Sequence, residues 1–553
     1  MIMIEKLKVK NYKILKDVQI ELHDTFNILV GQNESGKSTV LEAIEIATTG
    51  RLHFYPFERQ LRTNIFNDKV RKEYMDEVTN FNNHKTSAPK LPQIIIELYL
   101  KDDDSTKEYI GANNELRENC PGIRVKVGMN EGYSEYYKKL LQNGLIHDIP
   151  IELYKVSYNY FDGRDVLFRF SPVKSVLIDA SHKNYSNMVS HFINSNIDEI
   201  LTDEEKIKVS REYRKNRYAF KNNKDIEKLN NEVSKRHKFD ERSITIEFKE
   251  ETIDAWKDNM TISLDEVPFD NVGFGTQNVI KTELAIQNSP EKINVLLMEE
   301  PENNLSYTNM TKMLHQIKEI TNKQIIIATH SSYVANVLSL QYLLLVNNGT
   351  IQSFNELPDN TYKFFQKLSG YDTLRAVLAN KIIFVEGPSD ELIIERCYFD
   401  KYQCLPIHDG IDIIIAGGLT FKRFCDITIF MKKSVVVLTD NDGKPDEVKN
   451  RYEDYIDNKY VHFYWQKDAQ LHTLEPSIIA VNSEVDDNNQ YIPKIDFQHI
   501  VNYKNKEQMT FKALNQFMVN NKVEWALRVF ESEKTIHYPK YIIDGIEYVK
   551  QHC

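Results

Sequence analysis

Glycine is scarce in this chain, 19 of 553 residues, about half the usual share. The pairs that do occur, Gly31 with Gly36, Gly273 with Gly275 and Gly417 with Gly418, therefore mark places where the backbone needs them. Cysteine is sparse too. Cys120, Cys397, Cys404, Cys425 and Cys553 form no C-x-x-C pair and have no His at zinc-finger spacing, which excludes a structural zinc module and predicts a reducing, cytosolic compartment. No apolar run approaches the roughly 18 residues of a membrane span, and the N-terminal MIMIEKLKVKNYK alternates like a strand instead of carrying the apolar core of a signal peptide. A soluble, unexported protein with no membrane partner is expected. Net positive charge is also missing. A formal charge of −11 argues against a uniformly DNA-coating surface, because phosphate binding needs clustered Lys and Arg.

What is present is core material. Hydrophobic residues at 41% and aromatics at 11% place the chain among folded proteins, and its length calls for roughly two to four domains. Alternating segments up to FNILV lead into a glycine loop, followed by a helix from about Ser38 to Thr48, and LPQIIIELYL reads as another strand. Residues 101–165 read as polar and irregular. Residues 183–240 read as a charged helical arm. Between Lys206 and Lys238, twelve Lys or Arg stand against four acids, which makes either a local nucleic-acid contact or a solvated face of mixed charge. Strand signals return at SITIEF, INVLLM, QIIIA and YLLLV, a helical connector follows, and a second α/β unit opens with IIFVEG, IDIIIAGG, SVVVLTD and VHFYW. The expected divisions are 1–165 and 243–350 for a first α/β module, 166–242 for an inserted arm, 351–380 for the connector and 381–553 for the second module.

GQNESGKS, Gly31 to Ser38, matches G-x-x-x-x-G-K-[ST] between a strand and a helix. Its backbone N–H groups can cradle phosphates at a helix N-terminus, Lys37 reaches the β- and γ-phosphates and Ser38 holds magnesium; Asn33 and Thr39 complete the candidate nucleotide contacts. In NVLLMEEPENNL an apolar strand delivers Glu299 and Glu300 to a sheet edge. Glu299 is expected to support the magnesium and Glu300 to orient and activate the attacking water. His330 ends the strand QIIIATH, suited to sensing the γ-phosphate or, read alone, an ordinary strand-end histidine. VGFGTQ sets Gly273, Gly275 and Gln277 at the start of a helix. Together these motifs resemble the ATP-binding-cassette type of ATPase in the branch with SMC and Rad50-like heads. The resemblance implies ATP as ligand and a dimer in which the glycine signature of one subunit caps the ATP of the other, although the signature here keeps only the G-x-G-x-Q core of LSGGQ.

In the second module Glu386 ends IIFVE, and Asp390 lies one helical turn on if a helix begins near Pro388. In VVVLTDNDGK, Asp440 and Asp442 are expected to point the same way from extended backbone, or else to be plain turn residues, since N-D-G is a turn signal. TLEPS adds Glu475. Five acids crowded at sheet edges repel one another unless a divalent cation joins them, which calls for magnesium or manganese. A Glu with a DxD on a small parallel sheet resembles the Toprim domain of primases, topoisomerases and some nucleases. The order SGYDTLRAVLANKIIFVEGPSDE, AGGLTFKRF, VVVLTDNDGK, LHTLEPSI and NKVEWALRVFE resembles the C-terminal half of the OLD (overcoming lysogenization defect) nucleases.

That resemblance implies the full fold class: an α/β chain with an ABC-type P-loop ATPase head, an inserted helical dimerisation arm and a Toprim domain built on a parallel sheet. It also implies function. Two Mg²⁺ or Mn²⁺ ions would be held by Glu386, Asp390, Asp440, Asp442 and Glu475, with Lys522 stabilising charge on the scissile phosphate, or serving only as a surface lysine ahead of an amphipathic helix. DNA is the implied substrate and phage defence the implied role. A homodimer or higher oligomer is the implied assembly, alone or with an operon-encoded helicase or reverse transcriptase. Two other readings stay open: an SMC-like DNA-tethering ATPase with a non-catalytic Toprim module, and a Toprim nucleotidyl transferase.

Overall fold

The computed structural model describes residues 2–53, 55–83, 87–180, 201–239, 242–247, 256, 263–287, 293–338, 340–353, 361, 373–418, 420–502 and 507–552. Two units emerge: Met1–Asn27, Gly36–Thr329 and Asn348–Thr350 in one, and Ile28–Ser35, His330–Asn347 and Ile351–Cys553 in the other. The division thus runs through the glycine loop as well as near residue 350.

In the first unit, β1 (Ile4–Tyr12) pairs antiparallel with β2 (Leu15–Glu21). A register shift between Ile4 and Lys6 resets the alternation, so that Leu7 and Val9 face the core along with Ile4. The next strand, β3 (Phe26–Val30), is wholly buried, and its glycine loop gives way to α1 (Lys37–Thr49). The antiparallel sheet continues through β4 (Ile94–Leu100), β5 (Cys120–Met129) and β6 (Tyr154–Tyr160), in the order β2-β1-β4-β5-β6. Residues 101–165 are therefore not irregular. Half-exposed strands such as β5 place Arg124 and Lys126 on their outer face, and these charges hid the strand signal.

A parallel layer carries the candidate site. β7 (Ser175–Asp179), β8 (Val295–Glu299) and β9 (Gln324–Thr329) run side by side, with Asp179 opposite Glu299 and Glu299 opposite Ala328. Since β7 lies within 166–242, the expected arm begins later than that division places it. α1 touches strands of this layer and of the antiparallel sheet, which explains why even Glu42 and Glu45 are buried within it.

The described part of the arm is two helices, α2 (Asp203–Lys221) and α3 (Lys224–Arg236); residues 181–200 of the expected arm lie outside the described residues. A capping box between Thr202 and Glu205 starts α2, and Asn223 caps α3. Leu201, Val209 and Tyr213 pack with Trp256, Phe269 and Ile280. Elsewhere the arm is exposed, and its basic residues meet local acids: Arg211 and Lys215 with Glu212 at 3.3 and 3.2 Å, and Arg236 with Glu232 at 2.7 Å. Such pairs fit the solvated, mixed-charge reading. SITIEF forms no strand beyond Ser243 in the described residues. Side chains of α3 take its backbone groups instead: Asn230 donates to Ile246 O (3.2 Å) and accepts from Ile246 N–H (2.7 Å), while Ser234 donates to Ile244 O (2.8 Å). α4 (Phe274–Gln287) follows.

In the second unit β10 (Leu343–Asn347) runs parallel to β3, with Leu343 opposite Ile28. Most of the expected connector lies outside the described residues; Thr373–Leu378 is helical as expected. A four-stranded parallel sheet then forms from β11 (Lys381–Val385), β12 (Ile411–Ile415), β13 (Val435–Leu438) and β14 (Val461–Tyr464), in the order β12-β11-β13-β14. Its core joins Val385, Val436 and Leu438 to α5 (Pro388–Tyr402), α6 (Leu474–Val481), α7 (Lys522–Glu531) and α8 (Lys540–His552).

Arg396 ties α5 to the end of α7. Its guanidinium pairs with Asp400 at 2.8 Å and donates to Val529 O (3.1 Å), Phe530 O (2.8 Å) and Ser532 O. Helix-end carbonyls have no intrahelical partner, so Arg396→Met leaves several buried acceptors unsatisfied. The expected result is a loss of about 3 kcal/mol of unfolding free energy, seen as a lower urea midpoint in the transition followed by tryptophan fluorescence.

Candidate functional sites

The first candidate site lies where α1 meets the C-terminal ends of β8 and β9. Gly36 (φ 115°) turns the chain into α1, and Ser35 N–H closes the loop onto Gln32 O at 3.2 Å. Asn33 is exposed on that loop, while Lys37 and Thr39 are buried. Ser38 Oγ donates to Glu299 Oε1, so the hydroxyl and carboxylate that the sequence assigned to one magnesium do come together. Lys37 is brought among Glu300, Glu299 and Glu302; burial pulls its ammonium below the usual range, and those three carboxylates oppose that. Glu300 sits at a left-handed φ of 49° just past β8, held by its N–H to Ala328 O at 2.8 Å. Burial first, then Glu302, pushes its carboxyl up to about 8.

The glycine signature starts α4 as expected. Gly275 has to be glycine because a Cβ there would meet Asn304 O at 2.1 Å, which lets the helix start abut the loop after Glu300. Gln277 is different. It is buried, and its amide donates to Phe269 O (3.0 Å) and Val272 O (2.8 Å), so it braces its own loop instead of standing outward toward nucleotide. Gly273 lies just before the helix in open space. His330 follows β9 and is exposed. Three residues were not singled out from sequence. Asp179 ends β7 beside Glu299, Glu302 accepts from Thr329 Oγ1 at 2.5 Å, and Lys281 is buried on α4 with its ammonium lowered to about 8 by burial, Asp179 opposing. Asp179 was legible as an acid at a strand end and Glu302 as an acid three residues past one. Lys281 was not, because nothing in a helix sequence marks which lysine turns inward.

The second candidate site is at the C-terminal edge of the β11–β14 sheet. Pro388 opens α5, and Asp390 in its first turn accepts from Gly387 N–H at 3.0 Å. Glu386 Oε1 accepts from Thr439 Oγ1 (2.8 Å) and Asp440 N–H (2.9 Å), tying the ends of β11 and β13 together. Glu475, buried in the first turn of α6, accepts from Thr473 Oγ1 at 2.8 Å. Burial and then Glu386, Asp390 and Glu475 push the Asp440 carboxyl up to about 9. Burial and then Glu386 push Asp390 to about 7. Glu386, Asp390, Asp440 and Glu475 thus form one electrostatic cluster.

Asp442 departs from expectation. The strand ends at Leu438, and Asn441 pins the following turn by donating to Gln466 O (2.8 Å) and Asp468 O (2.9 Å). Asp442 therefore takes φ 50° rather than extended backbone, and its carboxylate pairs with Arg451 at 2.9 Å. Lys522 is exposed at the start of α7, and among the described residues no hydrogen bond or ion pair joins it to the four acids. Nor do any three His, Cys, Asp or Glu residues among those described already stand in ligating geometry. The donor set nonetheless suits a hard divalent ion: carboxylate oxygens only, buried, and crowded enough that two resist ionisation.

Comparison with known families adds what geometry alone does not. Residues 3–266 and 252–335, together more than half of the chain, match the AAA ATPase domain model AAA_15. This chain belongs to the AAA_15 family. Residues 377–442 of this AAA_15 protein match the Overcoming lysogenization defect protein-like TOPRIM domain, giving the ATPase–Toprim architecture of the OLD family. Among curated relatives, it is 36% identical over 58 residues to the DNA replication and repair protein RecF of Oceanobacillus iheyensis (10% of this chain, 16% of that protein). It is 40% identical over 60 residues to the DNA double-strand break repair Rad50 ATPase of Methanopyrus kandleri (11% and 7%). The AAA_15 chain thus spans only a small part of these relatives. Among solved structures it is similar to an Smc head bound to the C-winged helix domain of ScpA (TM-score 0.32, 15% identity, 64% of this chain and 99% of that one). It is also similar to the recombination mediator protein RecF with ATP (TM-score 0.31, 12% identity, 64% and 99%). Among the described residues no helix is long and apolar enough to cross a membrane.

Proposed function

We propose that this protein is an ATP-hydrolysing, divalent-metal-dependent DNA endonuclease of the OLD type. The observation that carries the reading is the convergence of Glu386, Asp390, Asp440 and Glu475 at the C-terminal edge of a parallel sheet, the first three within the segment that matches the OLD-like TOPRIM model and Glu475 outside it. Magnesium or manganese held there supplies a Lewis acid and an activated water for phosphodiester hydrolysis. Glu386 fixes the Asp440 backbone and so aims that carboxylate. Asp390 and Glu475 close the cluster from two helices. Asp442 is reached once Arg451 lets go of it, and Lys522 balances charge on the phosphate. In the ATPase unit Lys37 contributes a desolvated cation, Ser38 and Glu299 a joined pair of oxygen ligands for magnesium, and Glu300 a carboxyl able to take a proton near neutrality. Gly31, Asn33, Gly36 and Thr39 line the phosphate loop. His330 reads the γ-phosphate. The α4 start at Gly273 and Gly275 caps a partner's ATP in a homodimer, which the helical arm helps to form.

DNA as substrate is supported by the likeness to RecF, a DNA replication and repair protein, and to Rad50, a DNA double-strand break repair ATPase. A cytoplasmic role in phage defence, alone or beside an operon-encoded helicase or reverse transcriptase, follows from the family resemblance. Nicking of supercoiled plasmid by the full-length protein in Mg²⁺ or Mn²⁺ tests the reading; an intact plasmid at stoichiometric enzyme in both metals sinks it. A second reading, an SMC-like tethering ATPase with a non-catalytic Toprim unit, draws on the Arg451–Asp442 ion pair. It expects DNA retention on ATP binding and no cutting in the same assay.

A further inference from the structure

One tyrosine, unmarked in the sequence, is placed by α8 at the acid cluster. Lys381, at the start of β11, donates from Nζ to Lys550 O at 3.3 Å, so the C-terminal end of α8 lies at the N-terminal edge of the sheet. Further back along the helix Gly545 sits against the C-terminal half of β13: a Cβ there would meet Leu438 Cδ2 at 2.7 Å and Val436 Cγ1 at 3.2 Å. The absence of a side chain is what lets the helix lie this close to β13. α8 therefore runs antiparallel to the strands, and each turn toward its N-terminus climbs about 5.4 Å toward their C-terminal edge. Tyr541 stands four residues before Gly545, on the same face, while Asp440 stands two residues beyond Leu438. The two meet at the same level. Tyr541 packs against the core of this unit; burial first, and then Asp440, Asp390, Glu386 and Glu475, hold its phenol well above the usual range. Among the described residues no protein group makes a hydrogen bond to its hydroxyl.

The chemistry of the neighbourhood says what such a hydroxyl is for. With a divalent ion bound, the carboxylates would be ionised and would only accept hydrogen bonds, and a phosphodiester brings two more acceptors into the same place. An O–H here supplies a donor. We propose that Tyr541 is a phosphate-contacting residue of the cleavage centre, its phenol donating a hydrogen bond to a non-bridging oxygen of the scissile phosphodiester. This rests on the Toprim reading above, and it gives the tyrosine a donor's role, leaving bond cleavage to water.

The test compares wild type with Tyr541→Phe in the full-length protein. Calorimetric binding of thymidine 3′,5′-bisphosphate in Ca²⁺, Mn²⁺ affinity, thermal melting and plasmid nicking in Mn²⁺ are read in parallel. Losing one hydrogen bond to a charged group predicts about 10- to 100-fold weaker bisphosphate binding and similarly slower nicking, with Mn²⁺ affinity and melting temperature unchanged. Equal bisphosphate affinity in the two proteins overturns the proposal. So does a fall in Mn²⁺ affinity that accounts for the loss, or a covalent protein–DNA adduct that needs Tyr541. A wild type that binds the bisphosphate without cutting DNA overturns the nuclease reading instead, and the binding comparison still decides on Tyr541.

Discussion

Asp440→Asn should abolish metal-dependent nicking while making the metal-free protein harder to melt. The two effects have one cause. Asp440 is buried beside Glu386, Asp390 and Glu475, and its carboxyl is pushed up to about 9. A carboxyl whose folded pKa lies above its unfolded value, about 3.9, contributes stability that is complete below the unfolded pKa and is lost as pH rises through the folded one. The metal-free wild type should therefore lose stability progressively from about pH 4 to about pH 9, and the Asn variant should lose less. At pH 8 the variant is expected to melt about 5 °C or more above the wild type without metal. Adding Mn²⁺ should reverse the order, raising the wild-type melting temperature and leaving the variant nearly unmoved, because a cation replaces the repulsion with attraction only where the carboxylate remains. Nicking by the variant should drop by at least about 10³-fold, since the site would lose one of its carboxylate ligands for the metal. A variant that cuts plasmid at the wild-type rate would refute the assignment of this cluster as the cleavage centre.

Glu300→Gln should stop ATP turnover and leave ATP binding intact. Glu300 stands at left-handed φ, beside Glu302 and Lys37, with its carboxyl pushed to about 8. The amide keeps the size and the hydrogen bond of its own N–H to Ala328 O but cannot take a proton from water. A loss of about 10²–10⁴-fold in phosphate release is expected, with ATP affinity within a few-fold of wild type. Lys37→Ala should lose binding itself. If dimerisation depends on bound ATP, light scattering should show the Gln variant accumulating as a dimer at ATP concentrations where the wild type cycles. Wild-type phosphate release by Glu300→Gln would remove this residue from the hydrolytic step.

Much of this was legible in one dimension because the relevant signals are local. Strand, glycine loop and helix from Phe26 through Thr49 are contiguous, and the fully buried runs VLLME and QIIIAT carry their acids and histidine to the strand end by sequence alone. Glu386 and Asp390 are likewise a single strand end and helix start. The failures share a physical origin. β5 and β6 were missed because a strand with one wet face carries charged or polar residues at alternate positions, Arg124 and Lys126 in one and Lys155, Ser157 and Asn159 in the other. SITIEF looked like a strand, yet residues 244–247 form none, because side chains of α3 satisfy backbone groups of Ile244 and Ile246 that a neighbouring strand would have taken.

Sequence by itself determined which residue types could do chemistry and the order in which two modules offer them, since motif, periodicity and strand-end placement depend only on neighbours in the chain. Tertiary structure decided which of those residues share a point in space. It turned Asp442 toward Arg451 and Gln277 into its own loop, and it brought Asp179 beside Glu299 and Tyr541 level with Asp440. The first two depend on which way a side chain turns within a loop, the last two on a strand and a helix returning from a hundred residues or more away, where the free energy of packing, not the local pattern, chooses the partner.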